Sequence, residues 1–154
     1  MKYCIRRSLY STCHTLLCAI VCAMLFAACS VTEPDGDWDA MKWETLDGAK
    51  AEKGVYIVGV AADTLRFTCK NYRGPWISGA REDGVDYYPK GGNGNDIHNL
   101  QGRHFSATVE GNKLTVVFPE NISKDAHSVT LTVTAGDIFY DFRFLQEVAQ
   151  AANP

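Results

Sequence analysis

Between residues 72 and 96 the chain gathers flat aromatic rings, Tyr72, Trp76, Tyr87 and Tyr88, followed by the amide and carboxylate side chains of Asn93, Asn95 and Asp96. A pyranose presents an apolar face that stacks on such rings and hydroxyls that need amide or carboxylate partners, so these seven residues are the candidate ligand-binding set. Packing is the competing use: Trp76 sits beside an apolar run, and Tyr87 and Tyr88 could cap one end of a β-fold. Asp83, Asp86, Asn93, Asn95 and Asp96 are oxygen donors of the kind calcium takes, but residues 93–98 lack the alternating acidic ligands and closing Glu of a calcium loop. His98, His104 and His127 have no i, i+3 or i, i+4 spacing and no thiol partners, so their spacing marks no zinc site. Ser78 lacks the Gly-x-Ser-x-Gly elbow that exposes a nucleophile. These absences define an expectation: a chain that is not an enzyme and carries neither metal nor other cofactor.

The remaining reactive group of interest is a thiol near the start. Lys2, Arg6 and Arg7 precede an unbroken run of apolar or small residues from Leu16 to Ala28, 13 residues by count (16 to 28), well short of the roughly 20 that cross a bilayer. The run closes on Leu25-Phe26-Ala27-Ala28-Cys29, which resembles the lipobox of bacterial lipoproteins. That resemblance implies a diacylglycerol on the Cys29 thiol, cleavage just before it, and membrane attachment through the lipid, in the cell envelope and at the outer membrane. Residues 1–28 are then a signal peptide. Residues 29–39, with Glu33, Asp35, Asp37 and Asp39 around Pro34 and Gly36, form an acidic tether that repels itself and resists helix formation.

Processing leaves 126 residues (154 − 28) and a net charge of 12 − 18 = −6, enough chain for one core and the wrong sign for a nucleic acid partner. Of the six cysteines only Cys69 stays in the folded part, so no intrachain disulfide forms there. Cys69 shares the parity of Leu65 and Phe67, which predicts a buried, inert thiol.

Around these groups the sequence places strands. Residues 41–45 and 55–60 read as the first two, and strict alternation over 65–70 marks the third. Residues 75–78 make a short extended piece, and 105–110 and 113–118 make a hairpin about Gly111-Asn112. In the next hairpin Val129, Leu131 and Val133 alternate with Thr130, Thr132 and Thr134, and Gly136-Asp137 turns the chain into 138–147. Valines and Leu131 should face inward, the threonines outward. Residues 79–104 carry little regular pattern and read as a long loop, with Tyr87 and Tyr88 exposed beside one another if it binds a ligand. The fold expected over 40–149 is a single all-β antiparallel sandwich, immunoglobulin-like, of seven or eight strands, with 150–154 as a tail.

Three stretches carry a family likeness: Phe67-Thr68-Cys69-Lys70-Asn71-Tyr72, Pro75-Trp76-Ile77-Ser78, and the Thr-rich hairpin closing on Phe144-Leu145-Gln146. Together they resemble the BACON-type immunoglobulin-like modules of Bacteroidetes lipoproteins. The resemblance implies display at the cell envelope and contact with glycans or a partner protein, with Trp76 and Gln146 as framework positions; the alternative is a spacer or structural subunit of a surface complex. Asp63-Thr64-Leu65 also matches the short pattern of O-glycosylation in these bacteria, which would place a glycan on Thr64; a turn Asp before a β-favouring Thr is the plainer reading.

Overall fold

A computed structural model of the chain describes residues 38–90 and 96–148. Within them the chain forms strands β1 (Trp43–Thr45), β2 (Ala51–Glu52), β3 (Val55–Val58), β4 (Asp63–Cys69), β5 (Trp76–Glu82), β6 (Val85–Tyr87), β7 (Asn99–Gln101), β8 (Ser106–Glu110), β9 (Lys113–Phe118), β10 (His127–Thr134) and β11 (Phe139–Gln146). One sheet runs β1-β4-β9-β8-β7 and the other β2-β3-β11-β10-β5-β6. Neighbours are antiparallel except β3, which runs parallel to β11 with Tyr56 opposite Phe144 and Val58 opposite Gln146. The fold is an all-β, two-sheet sandwich, as the alternation implies.

Alternation decides which faces meet. In β4, Leu65, Phe67 and Cys69 are buried while Arg66 is exposed; in β9, Leu114, Val116 and Phe118 are buried and Lys113 and Val117 face out. From the other sheet, β10 contributes Val129, Leu131 and Val133, and β11 contributes Phe142 and Phe144. Phe67 is the bridge between them: its ring centroid lies 4.6 Å from Phe142, 5.1 Å from Tyr56 and 6.2 Å from Phe144. Tilted and edge-on contacts of this kind add to burial because the ring quadrupoles attract in those geometries. Gln146, fully buried, donates from Nε2 to the Pro119 carbonyl at 2.7 Å and so fastens the end of β11 to the chain leaving β9. Trp76 is half-buried at the start of β5, opposite Thr134, while its neighbour Ile77 takes the core position.

Three findings differ from the sequence reading. Residues 79–104 are not one long loop: β5 continues to Glu82, a two-residue turn returns the chain into β6, and β7 closes the edge of the opposite sheet. Asp83 (φ 48°) and Gly84 (φ 84°) both occupy the left-handed region, which is the geometry of a type I′ hairpin turn and the reason an Asp-Gly pair stands there. Short, polar flanks hid it. With β2, β6 and β7 added, eleven strands replace seven or eight among the described residues. Finally, Thr134 is buried although Thr130 and Thr132 are only partly so; it keeps their parity, since its register with β11 is unbroken, and lies opposite Trp76 beyond a bulge in β5. Its hydroxyl is satisfied inside the turn, 2.7 Å from the Gly136 carbonyl and 2.8 Å from that of Ile138.

Candidate functional site

The aromatic residues expected to bind a ligand do not form one surface. Tyr72 is half-buried against the core and donates its hydroxyl to the Asp39 carbonyl at 2.6 Å. Tyr87, the last residue of β6, also packs on the core, and strand parity then turns Tyr88 outward, where it is 69% exposed. The two tyrosines are therefore not side by side. Asp96 is half-buried and accepts from Asn99 Nδ2 at 2.9 Å, which fixes the turn into β7; Asn93 and Asn95 lie outside the described residues. Among the described residues, Asp86 is held by Arg81 and Asp83 by His127 rather than sharing one site. Thr64 is half-buried on β4, with its amide donating to Asp63 Oδ1 at 2.7 Å, and Cys29 lies outside the described residues.

Tyr88 instead joins a different residue. On the outer face of the six-stranded sheet a shallow groove of about 240 Å³ runs over β5 and β10, with Tyr88 and Phe139 on its walls. Gly79 makes room for the tyrosine, since a Cβ there would lie 3.2 Å from Tyr88 Cδ1 and 3.1 Å from the Tyr87 carbonyl oxygen. Phe139 is 61% exposed. Arg81 contributes a two-pronged contact with Asp86, Nε to Oδ1 at 2.8 Å and Nη2 to Oδ2 at 3.1 Å. Hydrogen bonding to the guanidinium holds the Asp86 carboxyl below the usual carboxylate range. Thr132 donates to Asp141 Oδ1 at 2.7 Å nearby. Two exposed rings over hydroxyls and a fixed ion pair give both apolar and hydrogen-bonding contacts to whatever lies across them. A second depression, of about 280 Å³, lies on the other side of Tyr88, toward Lys90, Asp96 and Asn99.

A second cluster forms where the β5–β6 turn meets the link between β7 and β8 and the start of β10. His104 and His127 stack with centroids 3.7 Å apart and planes 11° from parallel. Each ring is tied to a carboxylate: His104 Nδ1 lies 2.9 Å from Glu82 Oε1, and His127 Nδ1 lies 2.8 Å from Asp83 Oδ2. An ionised carboxylate only accepts, so both Nδ1 atoms carry the proton. Glu82, 2% exposed, also accepts the Arg103 and His104 amides at 2.7 and 2.6 Å, which satisfies a buried charge with three donors. Gly102 has no side chain for a steric reason: a Cβ there would meet the Phe105 ring and come within 2.8 Å of Glu82 Oε2. For Asp83, burial alone would raise the carboxyl, but the Ser128 amide, the His127 ring and the Ser128 hydroxyl outweigh it and hold it below its ordinary value.

His127 Nε2 lies 2.9 Å from Ser123 Oγ, so Asp83, His127 and Ser123 form a hydrogen-bonded chain. The hydroxyl is also built into its own turn. It lies 2.7 Å from Asn121 Oδ1 and 2.8 Å from the Asp125 carbonyl, and it accepts from the Asp125 amide at 3.2 Å. These contacts make Ser123 a holder of the His127 ring: Asn121 Oδ1 and the Asp125 carbonyl compete for its hydroxyl proton, and the Asp125 amide takes one of its lone pairs. His98 is exposed and outside this cluster. Spacing along the sequence could not show the grouping, because its members come from three elements that only the sheet topology brings together.

The sheets define a two-layer β-sandwich whose outer face and one end carry the polar groups. No family model matches the chain and no curated protein matches it. It is similar to a protein from Bacteroides thetaiotaomicron known from an NMR structure, at 30% identity over 80% of this chain and 100% of that one, with a TM-score of 0.64. At that identity across the whole of the other chain, the two belong to one family.

Proposed function

We propose that the protein is a lipid-anchored binding module of the cell envelope that takes a glycan across the groove between Tyr88 and Phe139. The observation that carries this reading is the pairing of two exposed aromatic rings, 69% and 61% exposed, over a polar floor. Each ring forgoes burial in water, and a ligand stacked across the groove would restore it. The likeness of the strand motifs to BACON-type modules supports the same placement, as does the lipobox-like ending at Cys29.

Because both rings are exposed, Tyr88→Ala combined with Phe139→Ala should abolish retention on polysaccharide columns or gels while stability changes by about 0.5 kcal/mol or less. Retention equal to that of the unaltered protein would remove this face as the binding site and leave the spacer reading. Anchoring is tested separately. Cys29→Ser should give a protein that incorporates no fatty acid and keeps its signal peptide, since the acyl chains contribute about 0.8 kcal/mol per buried methylene and only the thiol accepts them. A mature product starting at residue 29 without lipid would overturn the anchor.

A further inference from the structure

We propose that Asp83, His104 and His127 form a binding site for a divalent transition-metal ion of the zinc class. One ligand atom from each of the three lies within 4.8 Å of the others, although the residues come from the β5–β6 turn, the β7–β8 link and the start of β10. Two imidazole nitrogens and one carboxylate oxygen suit zinc and its neighbours; calcium and magnesium need more oxygen ligands than this set supplies. Three protein ligands also leave a position for water or a bound group.

What distinguishes the cluster from a chance meeting of side chains is the shell behind it. Buried Glu82 accepts a hydrogen bond from His104 Nδ1–H and is itself locked by two backbone amides, which leaves Nε2 as the unprotonated nitrogen of that ring. A carboxylate behind a histidine in this way fixes the tautomer and raises the ligand's basicity. Asp83 is aimed just as firmly, because the Ser128 amide at 2.8 Å and the Ser128 hydroxyl at 3.2 Å hold Oδ1 while Oδ2 points at His127. The positive φ of Asp83 is part of that aim.

The rings must move a little to bind. Stacked imidazoles direct their lone pairs side by side, and bonds of about 2.0 to 2.1 Å put tetrahedral ligands roughly 3.3 Å apart. His127, 6% exposed, ligates through Nδ1: the ion takes the place of the proton between Nδ1 and Asp83 Oδ2, and that proton moves to Nε2, which donates to Ser123 Oγ. His104, 27% exposed on its link, is the one that tilts. Without metal the same residues serve as a hydrogen-bonded clasp joining the three segments.

The test is a calorimetric titration of the purified protein with zinc chloride, repeated with cobalt chloride while recording visible absorption. We expect one ion per chain, tetrahedral cobalt bands, and a higher melting temperature with zinc present. His104→Ala should weaken zinc binding by at least about 10- to 100-fold. Asp83→Asn, which keeps a residue tolerant of positive φ and its contact with Ser128, should weaken it as well. His98→Ala should change nothing. Melting curves without metal show whether each variant is folded, so loss of binding in a folded His104 or Asp83 variant supports the site. No heat with zinc in several-fold excess, or equal binding by the unaltered protein and His104→Ala, overturns it and leaves the clasp alone.

Discussion

Phe67→Ala should destabilise the protein by about 3 to 5 kcal/mol, the cost of removing a fully buried ring and leaving a cavity that its surroundings only partly fill. Phe67 projects from β4 into the other sheet, against Phe142, Phe144 and Tyr56, so its loss removes contacts that hold the layers together as well as buried area. Chemical denaturation checks this as a lower midpoint at little-changed slope. Phe67→Leu, which keeps most of the volume, should lose distinctly less. Equal losses for the two would mean that ring contacts between the sheets matter little.

Leu131→Ala should cost about 2 to 5 kcal/mol. Leu131 is fully buried at the middle of β10, opposite Phe142 on one side and Ala80 on the other, so neither flanking strand can close over the space it leaves. Thr130→Ala, one position away on the half-exposed face, should stay within about 0.5 kcal/mol. If the two variants lost similar amounts by thermal melting, the faces of β10 would be wrongly assigned, because a one-residue slip exchanges them.

Most of the fold was legible where alternation was long. Leu65, Phe67 and Cys69, and Val129, Leu131 and Val133, point inward as parity requires, since a strand has only two faces and one must meet the core. Thr134 keeps the parity of Thr130 and Thr132 yet is buried, its hydroxyl held by the turn carbonyls and Trp76 of β5, distant in the sequence, lying opposite it. The β5–β6 hairpin was missed for a different reason. Its flanks, Ala80-Arg81-Glu82 and Val85-Asp86-Tyr87, bury a charged Glu82 and expose Val85, the reverse of the usual sorting, so only the Asp83-Gly84 turn chemistry marked it. The groove was half visible: Tyr88 stood out among polar neighbours, whereas Phe139 looked like one more residue of an aromatic strand. His104 and His127 were each plain in the sequence, but nothing local says that two residues so far apart will stack.

The parallel pairing of β3 with β11 has a mechanical consequence. The chain enters β3 from the amino-terminal side and leaves β11 toward the carboxyl terminus, and the two strands run the same way. A pull applied between the start of β3 at Val55 and the end of β11 at Gln146 therefore slides the two strands past one another along their length. Their hydrogen bonds, from Tyr56–Phe144 to Val58–Gln146, are loaded together in shear rather than opened one at a time like a zipper. Extraction under tension is governed by the height of that one barrier, and it can proceed slowly even in a domain whose equilibrium stability is modest. A module held at one end and gripped at the other would resist drag by this pairing once β1 has left β4 and β2 has peeled from β3.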